Sequence, residues 1–113
     1  MKARVLLRRA AELDLAGIED WYESQQVGLG AEFREAVDEL FGRIGENPHA
    51  FPERYRGSRR AILRRFPYIV WYRLHEDAAV ILACVHGSRD PRLARTRLRE
   101  GAFYDAPAVK PPG

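Results

Sequence analysis

The sequence predicts an α+β fold: a helical hairpin packed on one face of a mostly antiparallel four-stranded sheet, in the order β-α-α-β-β-β, with a short C-terminal helix. Three observations predict it. Two long stretches before residue 47 carry apolar residues at helical spacing. Three short runs after residue 58 are rich in β-branched and aromatic residues. The links between them are short and carry turn residues. At 113 residues the chain has the length of one domain. Residues 1–104 are expected to form it, followed by an unstructured tail over 105–113.

Residues 3–8 (ARVLLR) read as a strand. A helix follows over about residues 10–26, where Ala11, Leu15, Ile18 and Tyr22 recur at helical spacing with Trp21 beside them. Glu12, Glu19, Asp20 and Glu23 take the opposite side, and Gly28 and Gly30 interrupt the pattern. The second helix spans residues 29–46. Its stripe of Leu29, Phe33, Ala36, Val37, Leu40, Phe41 and Ile44 is the clearest period in the chain, and Asn47-Pro48 ends it. So short a link makes the two helices antiparallel. Residues 47–58 (NPHAFPERYRGS) read as an irregular connection.

Three strands are expected next, over residues 59–65, 68–74 and 79–85. Phe66-Pro67 turns the chain between the first two and His75-Glu76-Asp77 between the last two. The final run, AVILACV, is apolar at every position, which puts it in the centre of the sheet. Asp90-Pro91 opens a short helix through about Arg99. The sheet face away from the hairpin is then left for a partner.

The formal net charge of +3 conceals a division. Residues 12–46 hold ten acids and two arginines, residues 53–73 seven arginines and one acid, and residues 86–100 five arginines and two acids. One part of the molecule repels a polyanion and another attracts it. Only Lys2 and Lys110 among the basic residues are lysine. Arginine's planar fork suits phosphate or carboxylate, so the partner is a nucleic acid or an acidic protein segment.

Other classes are excluded. With Cys84 alone, no disulfide forms within the chain, and a reducing compartment is expected. Val5-Leu6-Leu7 is too short for a signal-peptide core, and no run nears the roughly 20 apolar residues of a membrane span. A cytoplasmic location is expected. His49, His75 and His86 lack metal-ligand spacing, no glycine pattern makes a phosphate loop, and no cofactor is expected. Cys84 reads as a small buried residue.

An ordered set of segments is more specific than any of these. Ala11-Glu-Leu-Asp14-Leu15 opens a helix with Trp21-Tyr22 near its middle. Gly28-Leu-Gly30 precedes Phe33, and Asn47-Pro48 precedes Phe51-Pro52-Glu-Arg-Tyr55. Arg59-Arg60-Ala-Ile-Leu-Arg-Arg-Phe66-Pro67-Tyr68 leads into Val70 and Tyr72, and Ile81-Leu-Ala-Cys-Val-His86 into Gly87-Ser-Arg89-Asp90-Pro91. From about residue 5 to residue 99 the chain resembles the RelE/ParE superfamily of toxins from type II toxin–antitoxin systems.

The resemblance implies a growth-inhibiting toxin, of the kind associated with plasmid stabilisation, neutralised by a cognate antitoxin usually encoded beside it. The antitoxin is expected to lay an acidic, amphipathic segment across the sheet or hairpin near the arginines. Two activities occur in the superfamily, and fold does not choose between them. ParE-like members inhibit DNA gyrase by binding. RelE-like members are mRNA interferases, metal-independent endoribonucleases acting on the ribosome. A remnant that binds antitoxin and poisons nothing is a third reading.

Cleavage at a 2′-OH needs a base, an acid and cations around phosphorus. His86, at a strand end, is the acid–base candidate, with Arg64 and Arg65 to hold phosphate. Arg59, Arg60 and Arg89 are candidate target or phosphate contacts, and Tyr68 and Tyr72 could stack on a base. Alternatively His86 and Asp90 only tie the strand end to the next turn. RelE-like nucleases often carry a lysine-rich cluster or a tyrosine close to the C-terminus. This chain has no lysine between Lys2 and Lys110 and continues 27 residues past His86, so its His86-Gly-Ser-Arg89-Asp90 run resembles the ParE-like branch more closely.

Overall fold

The computed structural model describes residues 2–88 and, in the C-terminal segment, Arg92, Arg95 and Leu98, which are helical. The order is β1 (Arg4–Leu7), α1 (Arg9–Gln25), α2 (Leu29–Glu46), β2 (Glu53–Tyr55), β3 (Ser58–Ile62), β4 (Tyr68–His75) and β5 (Ala78–His86). The sheet runs β1-β5-β4-β3-β2, with β1 parallel to β5 and every other pair antiparallel. Two helices on one face of a mostly antiparallel sheet are the predicted architecture. The unstructured tail expected from residue 105 lies outside the described residues.

Two strand expectations are corrected. The sheet has five strands, because Glu53–Tyr55 of the expected connection pairs with β3. Three residues ending at a tight Arg56-Gly57 turn, both with positive φ, are too short for an alternating pattern to register. The arginine-rich strand stops at Ile62 instead of reaching residue 65. The Leu63 N–H donates to the Tyr68 carbonyl and Arg65 takes φ 72°, so Leu63–Pro67 is the turn. Strand alternation therefore does not orient Arg64 and Arg65.

The main core lies between hairpin and sheet. Leu15, Ile18, Phe33, Val37, Leu40 and Ile44 of the helices meet Ala61, Val70, Tyr72, Ala79 and Ile81 of the sheet. Tyr22 and Phe33 set their rings edge-on to Phe66, at 5.0 and 5.4 Å, a favoured aromatic geometry. The hairpin closes tightly because position 30 is glycine: a Cβ there would lie 2.8 Å from the Glu19 carbonyl oxygen. Glu23 accepts the Gly28 and Gly30 N–H groups, satisfying donors that α2's first turn leaves over.

The last strand is central, between β1 and β4. It also carries a bulge. Trp71 pairs with Ala83 and Tyr72 with Ile81, which leaves Leu82 as the extra residue. Just beyond it, the Cys84 N–H donates to Asp14 Oδ2 at 2.9 Å in a fully buried contact with α1. The sheet face away from the helices is less open than expected. Trp71, Leu82, Ala83 and Val85 form a second apolar cluster there with Leu98, which is 2% exposed. Among the described residues, no helix is long and apolar enough to cross a membrane.

Candidate functional site

The helical pattern places carboxylates on the outer surface of the hairpin, where Glu12, Asp20, Glu23, Glu32, Glu35, Asp38 and Glu39 are exposed. Several cations neutralise that side. Arg34 pairs with Glu19 at 2.9 Å, Arg64 with Glu39 at 3.1 Å and Arg65 with Glu32 at 3.6 Å. The 63–67 turn thus directs Arg64 and Arg65 onto α2. Near β1, Lys2 pairs with Glu46 and Arg4 with Asp77. The Arg4 hydrogen bond holds the exposed Asp77 carboxyl below its ordinary value.

His86 ends β5 opposite Tyr68, its ring edge-on to the tyrosine at 5.2 Å. Its Nδ1 accepts the Ser88 N–H at 3.0 Å and lies 2.7 Å from Ser88 Oγ. These contacts tie the strand end to the following turn. Arg89 and Asp90, also singled out in the sequence, lie outside the described residues. His86, Arg64 and Arg65 therefore have separate partners, a serine and tyrosine for the first and α2 carboxylates for the others.

Tyr68 and Tyr72 are on the helix-facing side of β4, 2% and 0% exposed, inside the core. The Tyr72 hydroxyl donates to the Pro48 carbonyl at 2.6 Å. Burial pushes its pKa up to about 12, against the opposing pull of Arg59. Neither ring presents a face on which a base could stack. Arg59 braces β3 against the preceding loop, donating to the Phe51 carbonyl at 2.8 Å. Arg60 alone of the paired candidates Arg59 and Arg60 projects to the other side, where it sits opposite Trp71.

That other side gathers several arginines. Ser58 faces Arg73, Arg60 faces Trp71 and Ile62 faces Ile69 across β3 and β4. Tyr55 packs against the Trp71 cluster. The guanidinium groups of Arg56 and Arg95 lie 5.6 and 5.4 Å from the Tyr55 ring centroid, within cation–π range. Arg54, Arg56, Arg60, Arg73 and Arg95 form no ion pair among the described residues. Sequence reading missed Tyr55, Trp71, Arg73 and Arg95. The signal for Trp71 and Arg73 was the alternation of β4 itself, whose odd-numbered residues point away from the helices. Among the described residues, no group of three or more His, Cys, Asp or Glu comes together as a metal site would require.

Comparisons with known proteins agree with this architecture. Residues 5–91 match the family model of the ParE toxin of the type II toxin–antitoxin system parDE. Toxin ParE2 from two strains of Mycobacterium tuberculosis is 34% identical over 67 residues, 59% of this chain. The chain spans 64% of the length of those curated relatives. A solved chain of the chromosomal ParDE TA system from P. aeruginosa superposes with a TM-score of 0.58 at 20% identity, covering 75% of this chain and 96% of its own. That likeness is one of fold. The family match takes in both helices and, but for Arg4 of β1, all five strands, and on it the chain belongs to the ParE toxin family of type II toxin–antitoxin systems.

Proposed function

We propose that this chain is a cytoplasmic toxin that arrests growth by binding an essential target, DNA gyrase, and that a cognate antitoxin neutralises it. The observation that carries binding over RNA cleavage is the burial of Tyr68 and Tyr72. The two rings that could have stacked on a base are core residues, and His86 packs its ring against one of them. Arg64 and Arg65 are already engaged with α2. Their surface ion pairs are weak, roughly 0–1 kcal/mol each, so their placement is a minor argument and the buried rings are the major one.

Purified gyrase supplies the test. Titrating the chain into a supercoiling reaction should abolish supercoiling; unchanged supercoiling at high excess would remove gyrase as the target. Mapping message 5′ ends after induction separates the alternatives. New cuts inside codons would replace binding with endoribonuclease activity, and growth without arrest would leave only an antitoxin-binding remnant.

A further inference from the structure

We infer that the open groove where the end of α2 meets residues 47–51 receives a loop of the target protein, one that brings an apolar side chain next to a lysine or arginine. This rests on the proposed reading that the chain acts by binding a target. It adds the surface used and the chemistry that surface selects.

The groove follows from helical spacing. Glu39, Gly42, Arg43 and Glu46 stand at i, i+3, i+4 and i+7, on one face of α2. With Ala50 and Phe51 they line a space of about 510 Å³.

Its far wall is fixed before any partner arrives. The Ala50 N–H donates to the Asn47 carbonyl, the Tyr72 hydroxyl to the Pro48 carbonyl, and Arg59 to the Phe51 carbonyl. The half-buried Phe51 ring lies edge-on to Tyr72 at 6.3 Å, and the Arg43 guanidinium sits 5.2 Å from its centroid. A wall ordered in advance loses little freedom on binding. Partly exposed aromatic rings are also the side chains that anchor protein interfaces.

Gly42 is an independent observation. It does not take a positive φ, and a Cβ there would meet nothing within 4 Å. Neither turn geometry nor close packing requires glycine in the interior of this helix, where it is among the least favourable residues. What the missing side chain does is leave the groove floor open between Glu39 and Glu46.

Charge selects the occupant. The rim carries two carboxylates, Glu39 and Glu46, against one guanidinium, which lies over Phe51. The side chains that now pair with these acids, Arg64 and Lys2, are 66% and 79% exposed, and such surface pairs are weak. A lysine or arginine of the target can join either acid while its apolar neighbour covers Gly42, Ala50 and Phe51. A phosphate backbone meets the wrong sign here, and so does an acidic antitoxin segment.

Purified gyrase is the probe, with the full chain titrated into a supercoiling reaction. Gly42→Met fills the groove with a good helix former, so its thermal midpoint should be no lower than that of wild type. The concentration needed for half-inhibition should nevertheless rise about tenfold or more. Glu39→Lys and Glu46→Lys should each raise it about fivefold. Glu12→Lys makes the same charge change on α1 and should stay within about twofold of wild type. Affinity for the protein that rescues growth on co-expression should stay within about threefold in every variant. A wild-type chain that leaves supercoiling unchanged defeats the functional reading, and the docking site with it. Equal inhibition by wild type and Gly42→Met overturns the docking site alone. So does Glu12→Lys costing as much as Glu39→Lys, since the target would then read the acidic hairpin as a whole. Matching loss of affinity for the rescuing protein would give the groove to the antitoxin instead. A dimer that sediments as a monomer after Gly42→Met would give it to a second copy of the chain.

Discussion

Two buried polar side chains hold the fold at points where apolar packing alone would not specify it. Asp14 lies in the apolar stripe of α1 and accepts the Cys84 N–H immediately after the bulge in β5. Asp14→Ala removes that acceptor, and denaturant unfolding should show a loss of about 2–3 kcal/mol. Asp14→Asn keeps an oxygen there and should lose clearly less. Tyr72 makes the second contact, to the Pro48 carbonyl. Its pKa is raised by burial to about 12, so the folded state favours the neutral phenol. That contribution is complete below the unfolded pKa near 10 and is lost as pH rises through about 12. Tyr72→Phe should be less stable at neutral pH by about 1 kcal/mol, yet should lose less stability than wild type between about pH 10 and 12. A pH series of thermal midpoints reads both effects. At this scale the sequence was only partly legible. Asp14 falls between Ala11 and Ile18 on the helical period, a sign of burial that its place among the acids of residues 12–46 concealed. For the tyrosines, residue type pointed to recognition while strand parity decided the matter, turning Tyr68 and Tyr72 inward and Trp71 and Arg73 outward.

Among the elements, legibility followed length. The helix bounds read from periodicity agree with Arg9–Gln25 and Leu29–Glu46 to within a residue. β2 was invisible because three residues carry no period, and β3 ended early because its turn consumed Leu63-Arg64-Arg65. The bulge at Leu82 was illegible for another reason: β5 is apolar throughout, so nothing in its pattern shows where the alternation slips. One element also carries an avoidable cost. Gly42 sits in the interior of α2, and a Cβ added there meets nothing within 4 Å. Gly42→Ala should therefore stabilise the chain by about 0.5–1 kcal/mol, through helix propensity alone, as a rise in thermal midpoint. Gly30→Ala must show the opposite sign, since its Cβ would collide with the backbone of α1.

Across the whole molecule, the fold sorts charge by face. Topology places an acidic helical hairpin on one side of the sheet and carries Arg60 of β3, Arg73 of β4 and Arg95 of the C-terminal segment to the other. The segmental charge imbalance was readable from the sequence, but which arginines remain without a carboxylate was not, because Arg64 and Arg65 are neighbours of Arg60 in the chain and partners of α2 in space. The most direct measurement is amide hydrogen exchange on the free chain and on its antitoxin complex. Slowed exchange should fall on Glu53–Ile62 and Tyr68–His75, with the outward residues of α1 unchanged. Protection confined to Arg9–Glu46 would contradict the account and place the neutralising partner on the acidic hairpin.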